Sequence, residues 1–241
     1  DLTASLIGAA VGADEIWLWK ETDGIMTTDP HLVPSARPLS QISYTEAMEM
    51  SFFGAKVLHP RAIEPAIRHS IPVRVKNTFY PDHEGTLIVA EHVQSESVVK
   101  AITVIRNVAM ITISGSGMIG TIGVAARVFK SLAEAGVNIR MISQGSSEAN
   151  ISMVVDDVHA KRAVEVLKRE FERNTVKDVL LNEDVCVVAV VGAGMIGTPG
   201  VAGRVFSTMG RESINVIMIS QGSSQSNISF VIEKRDAKRA V

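Results

Sequence analysis

The chain has 241 residues, of which 46% are hydrophobic and 21% are charged, and its formal net charge is −2. This composition is that of one or two ordinary globular domains, and the near-neutral charge gives no electrostatic reason to expect nucleic acid or an anionic membrane as a partner. No apolar run approaches the ~20 residues of a membrane helix, and no signal peptide is predicted. Cys186 is the single cysteine, which excludes an intrachain disulfide and fits a reducing, cytoplasmic setting.

The first part of the chain alternates between helix-like and strand-like segments. Residues 1–12 are small and apolar at helical spacing, and residues 15–19 form a short bulky run typical of a buried strand. A loop with glycine and prolines covers residues 22–38, and a helix is predicted to begin at Thr45. Further predicted elements are a helix at 61–69 and strands at 71–77 and 86–89. This alternation indicates an α/β unit with a largely parallel sheet.

Both ends of the chain fall within segments that resemble incomplete helices. The first ten residues are typical of a helix that is already under way, and residues 235–241 are typical of a helix that has only begun. We therefore expect the chain to be a piece of a longer protein. Near residues 91–97 the composition turns polar, and we place a domain boundary there.

An internal repeat fills the rest of the chain. Residues 115–129, G-S-G-M-I-G-T-I-G-V-A-A-R-V-F, recur as G-A-G-M-I-G-T-P-G-V-A-G-R-V-F at 192–206, so that Met118 corresponds to Met195. The same offset carries M-I-S-Q-G-S-S from 141–147 to 218–224 without a gap. Two copies are too few for a solenoid. The repeat instead predicts two small domains that pack on each other.

Each copy has the pattern strand, Gly-rich turn, amphipathic helix, strand, Gly/Ser turn, strand and helix. In the first copy these segments are 108–114, 121–135, 138–143, 149–155 and 159–171. The β-α-β-β-α-β order is that of ferredoxin-like domains. A further strand is predicted at 98–105, and the second copy is expected to lack its last strand because the chain stops.

The Gly-rich turns match a dinucleotide-binding pattern. Residues 115–120 and 192–197 both have the form G-x-G-x-x-G between a strand and a helix, as in a dinucleotide fingerprint. However, the following strands end in Ser-Gln rather than in the acidic residue that holds a ribose, and each then turns back through Gly-Ser-Ser. The repeat unit is also short for such a domain. A second interpretation is that the glycines only shape a strand-to-helix turn.

A third interpretation is a site for a small ligand with a carboxylate. The N-terminus of a helix has unpaired N–H groups and partial positive charge, which suit an anion. Amides and hydroxyls nearby suit the rest of a free amino acid. Such groups come from the two turns and from the ends of the adjacent strands, at Thr121, Thr198, Asn138, Asn215, Gln144 and Gln221.

These residues resemble known families along essentially the whole chain. The repeats resemble ACT domains, the amino-acid-sensing modules of biosynthetic enzymes, and the first part resembles the C-terminal part of an aspartokinase catalytic domain. The matching segments of the first part are D-L-T-A at 1–4, G-I-M-T-T-D-P at 24–30, F-G-A-K-V-L-H-P at 53–60 and I-P-V-R-V at 71–75. The resemblance implies an α/β fold with part of an amino-acid-kinase sandwich at 1–92 and two ferredoxin-like ACT domains at 98–180 and 181–241.

The resemblance also implies catalytic and nucleotide-binding roles. Asp1 would help to organise the phosphates and active-site lysines, and Lys56 and Val57 would lie at the nucleotide. Four other nucleotide-side positions depart from the residues that many members have there, namely Lys20, Glu21, Met26 and His31. Without the resemblance, Lys56 would be interpreted as a solvated lysine and Asp1 as a helix N-cap.

The implied reaction is transfer of the γ-phosphoryl group of ATP, with Mg²⁺, to the β-carboxylate of L-aspartate. This is the first step toward lysine, threonine, methionine and isoleucine. The family's K-F-G-G-T-S segment and the Gly-Gly-Ser before Asp1 are not in the chain, so we expect the chain alone to have no kinase activity. The alternative from another class is a non-catalytic ACT regulator, which would have no need of F-G-A-K-V-L-H-P.

The resemblance further implies an allosteric amino acid bound at the ACT repeats of a homodimer. The segment I-S-Q-G-S-S-E at 142–148, which resembles that of threonine-sensitive members, and the cation at Arg140 favour threonine as this effector, with lysine as the alternative. The effector-site positions implied in the first repeat are Met118, Thr121, Gly123, Val124, Ala125, Asn138, Ile139, Gln144, Ser147 and Glu148, and those in the second are Thr198, Asn215 and Gln221.

Overall fold

The computed structural model describes residues 1–54, 58–90, 97–145, 148–171 and 176–241. Its helices are α1 (Leu2–Val11), α2 (Tyr44–Phe52), α3 (Glu64–Arg68), α4 (Val124–Glu134), α5 (Asp157–Glu170) and α6 (Val201–Arg211). Its strands are β1 (Ile16–Lys20), β2 (Gln41–Ser43), β3 (Val73–Asn77), β4 (Thr86–Val89), β5 (Ala101–Ile105), β6 (Val108–Ser114), β7 (Ile139–Gln144), β8 (Asn150–Asp156), β9 (Asp178–Asn182), β10 (Val185–Val191), β11 (Met218–Ser220) and β12 (Asn227–Glu233). Short 3-10 helices cover Pro60–Ala62, Ser116–Met118, Ala193–Met195 and Lys234–Asp236.

The first part of the chain forms a four-stranded sheet in the order β1-β3-β4-β2. The β1–β3 and β2–β4 pairs are parallel, and the β3–β4 pair is antiparallel. A largely parallel sheet is therefore confirmed, with one hairpin in its centre. Helix α1 ends as predicted at Gly12, whose φ of 63° gives the left-handed cap that glycine allows.

Three local predictions for this part are corrected. Strand β1 is buried on one face only, because Trp17 and Trp19 are 50% and 44% exposed. Helix α2 begins one residue earlier than predicted, because Ser43 caps it through a reciprocal capping box with Glu46. The single helix expected at 61–69 is a 3-10 turn followed by α3. Pro65 lies in the first turn of α3, where its missing N–H costs no helical hydrogen bond, whereas in the interior of one continuous helix it would.

The first repeat has the predicted β-α-β-β-α-β order, and its antiparallel sheet runs β7-β8-β6-β9. The ferredoxin-like prediction is confirmed. Helix α4 begins at Val124 and not at residue 121, because Gly120 and Gly123 have φ values of 67° and 86°. These left-handed conformations cannot continue a right-handed helix. The apolar face of α4 buries Val124, Val128 and Leu132 against the sheet.

The second repeat does not lack its fourth strand, contrary to prediction. Strand β5 lies in that position and pairs antiparallel with β10, so that the second sheet runs β11-β12-β10-β5. Strand β9 corresponds to β5 under the offset of the repeat, and it occupies the same place beside β6 in the first sheet. The strand that precedes each repeat thus completes the sheet of the other. Sheet membership therefore does not follow the division at 180/181, which would cut through β9.

The two repeat sheets pack against each other. Alternate residues of β10 separate between two clusters, in keeping with the period of two in a strand. Cys186, Val188 and Val190 belong to the cluster on the helix side of the second repeat. Val187 and Val191 belong to a cluster that also includes Met141 and Val154 of the first repeat and much of the core of residues 1–90. The packing of the two repeats on each other is thus confirmed. Within the described ranges, no helix is both long and apolar enough to cross a membrane.

Candidate functional site

Asp1 and Lys20 meet at the carboxyl end of β1. The Lys20 ammonium lies 2.6 and 2.8 Å from the two carboxylate oxygens of Asp1. Each side chain is about a quarter exposed, 26% for Lys20 and 25% for Asp1, and partial burial lowers the pKa of Lys20 below its ordinary value. In open α/β sheets, ligands bind outside the carboxyl ends of the parallel strands. Two residues from different parts of the implied active site are therefore brought together where such a sheet binds a ligand.

Asn77 and Asp23 lie at the same edge, and sequence reasoning missed both. Asn77 is the last residue of β3 and pairs in register with Lys20. Its amide nitrogen donates to Asp23 Oδ1 at 2.7 Å, and its amide oxygen accepts from the N–H of Phe79 at 2.9 Å. A polar residue at the end of a strand that alternates buried and half-buried positions was the available signal.

The predicted nucleotide-side loop is held against β4. Gly24 has a φ of 124°, and a Cβ at that position would lie 2.4 Å from Thr86 Oγ1. The same hydroxyl accepts from the N–H of Ile25 at 2.8 Å. Met26 is half-buried, and Glu21 and His31 are exposed. The loop is ordered by these contacts, whereas Glu21 and His31 are open to solvent.

Three predicted site residues lie outside the described residues, namely Lys56, Val57 and Ser147. Their roles stay predictions. The segment before Lys56 is described as far as Gly54, which has a φ of 104°. A Cβ on Gly54 would lie 3.1 Å from the carbonyl oxygen of Val104 in β5. Glycine is therefore required there by both its conformation and its close approach to another strand.

Helix α2 connects the first part of the chain to the second repeat through a buried carboxylate. Glu46 is fully buried and accepts from the N–H groups of Ser43 and Ala193, both at 2.8 Å. The Lys100 ammonium lies 3.4 Å from the same carboxylate. Burial alone would raise the pKa of Glu46, but these hydrogen bonds and the Lys100 charge outweigh it and hold the pKa below its usual value.

The Gly-rich turn of the first repeat carries the predicted effector positions. Met118 is 3% exposed and anchors the turn in the core. Thr121 is exposed and donates from Oγ1 to the carbonyl of Gly117 at 2.8 Å. It lies in the turn and not at the first position of α4. That helix begins after Gly123, which provides no side-chain cap, so the N–H groups of its first turn are available to a ligand.

Glu148 closes this turn, and a related contact occurs in the second repeat. Glu148 Oε2 accepts from the N–H of Gly120 at 3.0 Å. In the second repeat Gln225 Oε1 accepts from the N–H of Gly197 at 2.9 Å. Glu148 and Gln225 both have a φ of 56°. The contact shows that Glu148 has a structural partner within the turn.

The remaining effector positions lie around the ends of the adjacent strands. Gln144 ends β7 and is exposed, and Asn138 precedes β7 and is also exposed. Ile139 is half-buried in the core cluster, as is Ala125 in α4. In the second repeat Gln221 follows β11 directly, whereas Asn215 lies three residues before it. Thr198 donates to the carbonyl of Gly194 at 2.7 Å, as Thr121 does to Gly117.

Arg140 has a partner that the sequence analysis did not foresee. Its guanidinium forms an ion pair with Asp156, and β7 has a register irregularity between Ile139 and Met141. The positive charge is therefore largely neutralised. Repulsion of a lysine ammonium by Arg140 is correspondingly a weak argument for threonine.

The dinucleotide interpretation is wrong. In a dinucleotide-binding fold the strand after the first helix lies next to the strand before it and pairs with it in parallel. Here β6 has β8 and β9 as neighbours, both antiparallel, and β7 pairs with β8. The glycines belong to a ferredoxin-like repeat.

Two family models match the chain. The amino acid kinase family matches residues 1–77, and the ACT domain matches residues 111–171 and 188–241. The bifunctional aspartokinase/homoserine dehydrogenase of Haemophilus influenzae is 42% identical over 246 residues, which cover 100% of this chain and 30% of that protein. The chain thus spans less than a third of this relative. The fold and these matches define a protein that combines part of an amino acid kinase domain with ACT domains.

Solved structures agree with this combination. The aspartate kinase of Clostridium acetobutylicum matches with a TM-score of 0.91 and 30% identity, over 100% of this chain and 55% of that one. Aspartokinase III of E. coli, in complex with aspartate and ADP, matches with a TM-score of 0.84 and 29% identity, over 99% of this chain and 53% of that one. The chain belongs to the aspartokinase family.

Proposed function

We propose that these residues are part of an aspartate kinase, which transfers the γ-phosphoryl group of ATP to the β-carboxylate of L-aspartate and forms an acyl phosphate. The observation that carries the proposal is the Asp1–Lys20 ion pair at the ligand-binding edge of the sheet, in a chain of the aspartokinase family. E. coli aspartokinase III, a relative, is described with aspartate and ADP bound.

Phosphoryl transfer leaves little covalent work to the protein, so positioning and charge neutralisation dominate. Lys20 is partly buried beside Asp1, and its ammonium would meet the negative charge of the phosphates. Asp1 would orient that ammonium. Asn77, which holds Asp23 at 2.7 Å, would fix the start of the loop on the nucleotide side. Lys56 would supply a second cation near the phosphates, as the family resemblance implies.

Mg²⁺ would accompany ATP. Among the described residues, no three or more histidine, cysteine or acidic side chains gather into a cluster that could hold a metal ion. Mg²⁺ in kinases is usually bound by substrate phosphates and water with one or two carboxylates. Asp1 and Asp23 lie at the right edge of the sheet for that limited role.

A chimera tests the catalytic proposal. The chain replaces the matching part of E. coli aspartokinase III, and ADP release from ATP is measured with and without L-aspartate. We expect aspartate-dependent turnover, and loss of at least tenfold in kcat/KM in a Lys20→Met chimera, which is about 1.4 kcal/mol of transition-state stabilisation. A folded chimera without turnover would contradict the proposal and favour a non-catalytic ACT regulator.

We further propose that a free amino acid, threonine, binds the first repeat as an allosteric effector. The uncapped first turn of α4 would bind its carboxylate. Thr121 and Gln144, both exposed beside that turn and at the end of β7, would contact its polar groups. Lysine is the alternative effector, since the ion-paired Arg140 does not decide between them.

The two repeats provide a matched pair of variants for this proposal. Gln144→Ala changes the first repeat, and Gln221→Ala changes the equivalent position of the second. We expect calorimetric heat from threonine to be lost or weakened at least tenfold in Gln144→Ala and retained in Gln221→Ala. The reverse result would place the effector in the second repeat. Heat from lysine but not from threonine would show that the effector is lysine and not threonine.

We also propose a homodimer through the ACT repeats. Exposed isoleucines recur at equivalent positions of both repeats: Ile119 and Ile142 are 56% and 42% exposed, and Ile196 and Ile219 are 55% and 45% exposed. Ile122 is 99% exposed. Large exposed apolar side chains in a cluster favour association. Sedimentation of Ile142→Lys and Ile219→Lys variants tests this: we expect a dimer in the parent chain and a monomer in at least one variant.

A further inference from the structure

Strand β5 touches both segments that the resemblance places at the nucleotide. The N–H of Ile102 donates to the carbonyl of Thr27, in the nucleotide-side loop, at 2.9 Å. The carbonyl of Val104 faces Gly54 so closely that a Cβ there would lie 3.1 Å away. Gly54 is two residues before Lys56. Since β5 is the edge strand of the second repeat's sheet, this sheet extends to both predicted nucleotide segments.

Helix α2 provides a second connection to the same repeat. Glu46 accepts from the N–H of Ala193 in the Gly-rich turn. One helical turn later, Glu49 accepts from Ser226 Oγ at 3.2 Å and from Asn227 Nδ2 at 2.6 Å. Helix α2 ends at Phe52, shortly before Gly54. Two carboxylates thus fix the helix that leads into the segment of Lys56.

A backbone hydrogen bond joins the two parts of the second repeat that α2 contacts. The N–H of Gly192 donates to the carbonyl of Ser226 at 3.0 Å, which joins the parts bound by Glu46 and Glu49. A Cβ on Gly192 would lie 2.4 Å from the carbonyl of Val98, so the turn also packs against the segment that leads into β5. A movement of this turn would therefore act on α2 and β5 together.

The first repeat differs at the corresponding positions. Ala193, Gln225 and Ser226 of the second repeat correspond to Ser116, Glu148 and Ala149 of the first. Ser226 supplies a donor for Glu49 that Ala149 could not supply, and Gln225 avoids a further carboxylate next to it. Within the described part of the chain, the hydrogen bonds from residues 1–90 to the repeats end on the second sheet, its turn or the segment before β5.

We propose that the second ACT repeat positions the two nucleotide segments, through β5 at Thr27 and Gly54 and through α2 at Glu46 and Glu49. Glu49 and Asn227 are then positioning residues that transmit the state of the repeats to the kinase part. The proposal rests on the proposed kinase and effector functions for its biological purpose. Its structural content, that this repeat holds α2 and the loop in place, can be tested without any ligand.

The test compares isosteric variants at equivalent positions of the two repeats. Asn227→Asp places a carboxylate against Glu49, whereas Asn150→Asp makes the same change at the equivalent position of the first repeat. Hydrogen exchange is measured on the whole chain. Loss of a hydrogen bond to a charged group weakens the local structure that depends on it, so we expect exchange in residues 44–54 and 24–30 to become at least tenfold faster in Asn227→Asp only. Equal effects of the two variants, or none in Asn227→Asp, would overturn the proposal.

Ser226→Ala serves as a second variant if Asn227→Asp does not fold. It removes one donor to Glu49 and gives the second repeat the alanine that the first already has at residue 149. The expected change in exchange has the same pattern and is smaller. Unchanged exchange at residues 44–54 in this folded variant would also overturn the proposal.

Added L-threonine separates this proposal from the effector proposal. We expect threonine to alter exchange in residues 44–54 of the parent chain, and we expect Asn227→Asp to keep the heat of threonine binding but to lose that alteration. Threonine heat without any change at residues 44–54 of the parent chain would overturn the positioning role. An absence of threonine heat would count against the effector proposal, while the ligand-free comparison would still decide the positioning role.

Discussion

The carboxylate of Glu46 accepts a hydrogen bond from the backbone N–H of Ala193, 147 residues away in the chain, at 2.8 Å. Glu46 is also within 3.4 Å of the Lys100 ammonium, and the side chains are 0% and 5% exposed. The removal of one partner of a buried ion pair is costly because it leaves the other charge uncompensated. This single side chain thus joins the amino acid kinase part, the linking segment and the second ACT repeat.

Neutralising Glu46 should therefore destabilise the whole chain. We expect Glu46→Gln to lower the free energy of unfolding by about 3 kcal/mol, measured by urea denaturation. Glu64→Gln is the matched control, because Glu64 forms an exposed i,i+4 pair with Arg68. Its expected cost is below about 0.5 kcal/mol. Equal costs for the two variants would contradict the importance of the buried contact.

The same carboxylate should make the chain sensitive to acid. The pKa of Glu46 is lowered from its ordinary value of 4.5, so its stabilising contribution is complete above about pH 4.5 and is lost as the pH falls through its lower folded value. We expect the urea concentration at the unfolding midpoint to decrease as the pH is lowered from 6 to 3, and to decrease less in Glu46→Gln than in the parent chain. A parallel decline in the two proteins would assign the acid sensitivity to other groups.

Gly24 should tolerate no side chain. Alanine there would need a φ of 124° and a Cβ 2.4 Å from Thr86 Oγ1, the hydroxyl that fixes the nucleotide-side loop. Gly12 is the control, since its φ is 63° but no atom lies within 4 Å of its added Cβ. We expect Gly12→Ala to cost about 1 kcal/mol and Gly24→Ala to cost clearly more by thermal unfolding. The opposite order would show that the loop relaxes freely.

Cys186 should be protected in the folded chain. It is 0% exposed in the second repeat, and burial raises its pKa to about 11. Because the thiolate is the reactive form, we expect a disulfide reagent at pH 8 to label it at least a hundredfold more slowly in buffer than in concentrated urea. Labelling at the unfolded rate in buffer would mean that the core of the second repeat is open.

Because β5 completes the sheet of the second repeat, its removal by truncation should expose the core of that repeat. A chain of residues 97–241 keeps β5 beside β10, whereas a chain of residues 107–241 leaves that edge of β10 without its partner. We expect Cys186 to be protected in the chain that keeps β5 and to be labelled rapidly in the chain that lacks it. Equal protection in both would show that β5 is dispensable to the second sheet.

Local patterns predicted the elements but not all of their partners. The internal repeat, the amphipathic helix at 121–135 and the strand-like run at 108–114 were sufficient to predict a pair of ferredoxin-like units, because these signals depend on near neighbours. The pairing of Ile105 with Val187 could not be predicted from the sequence of either strand alone. An apolar run marks a strand, and several sheet edges compete for it.

The candidate site was also predicted only in part. Asp1 and Lys20 were both identified through the family resemblance, and their ion pair brings them together. The Ser43–Glu46 capping box was available from the S-Y-T-E pattern, but the contact of Glu46 with Ala193 required the packing of α2 on a distant turn. The cation at Arg140 was taken to favour threonine without regard to an ion-pair partner, because that partner, Asp156, lies at the end of the next strand.

We propose above all that this chain senses an amino acid through its ACT repeats. Calorimetric titration of the unaltered chain with L-threonine, then L-lysine and then NADH tests it most directly. We predict saturable heat with threonine and none with NADH, in keeping with Gly-rich turns that belong to ferredoxin-like repeats. Heat with NADH and none with either amino acid would contradict the account.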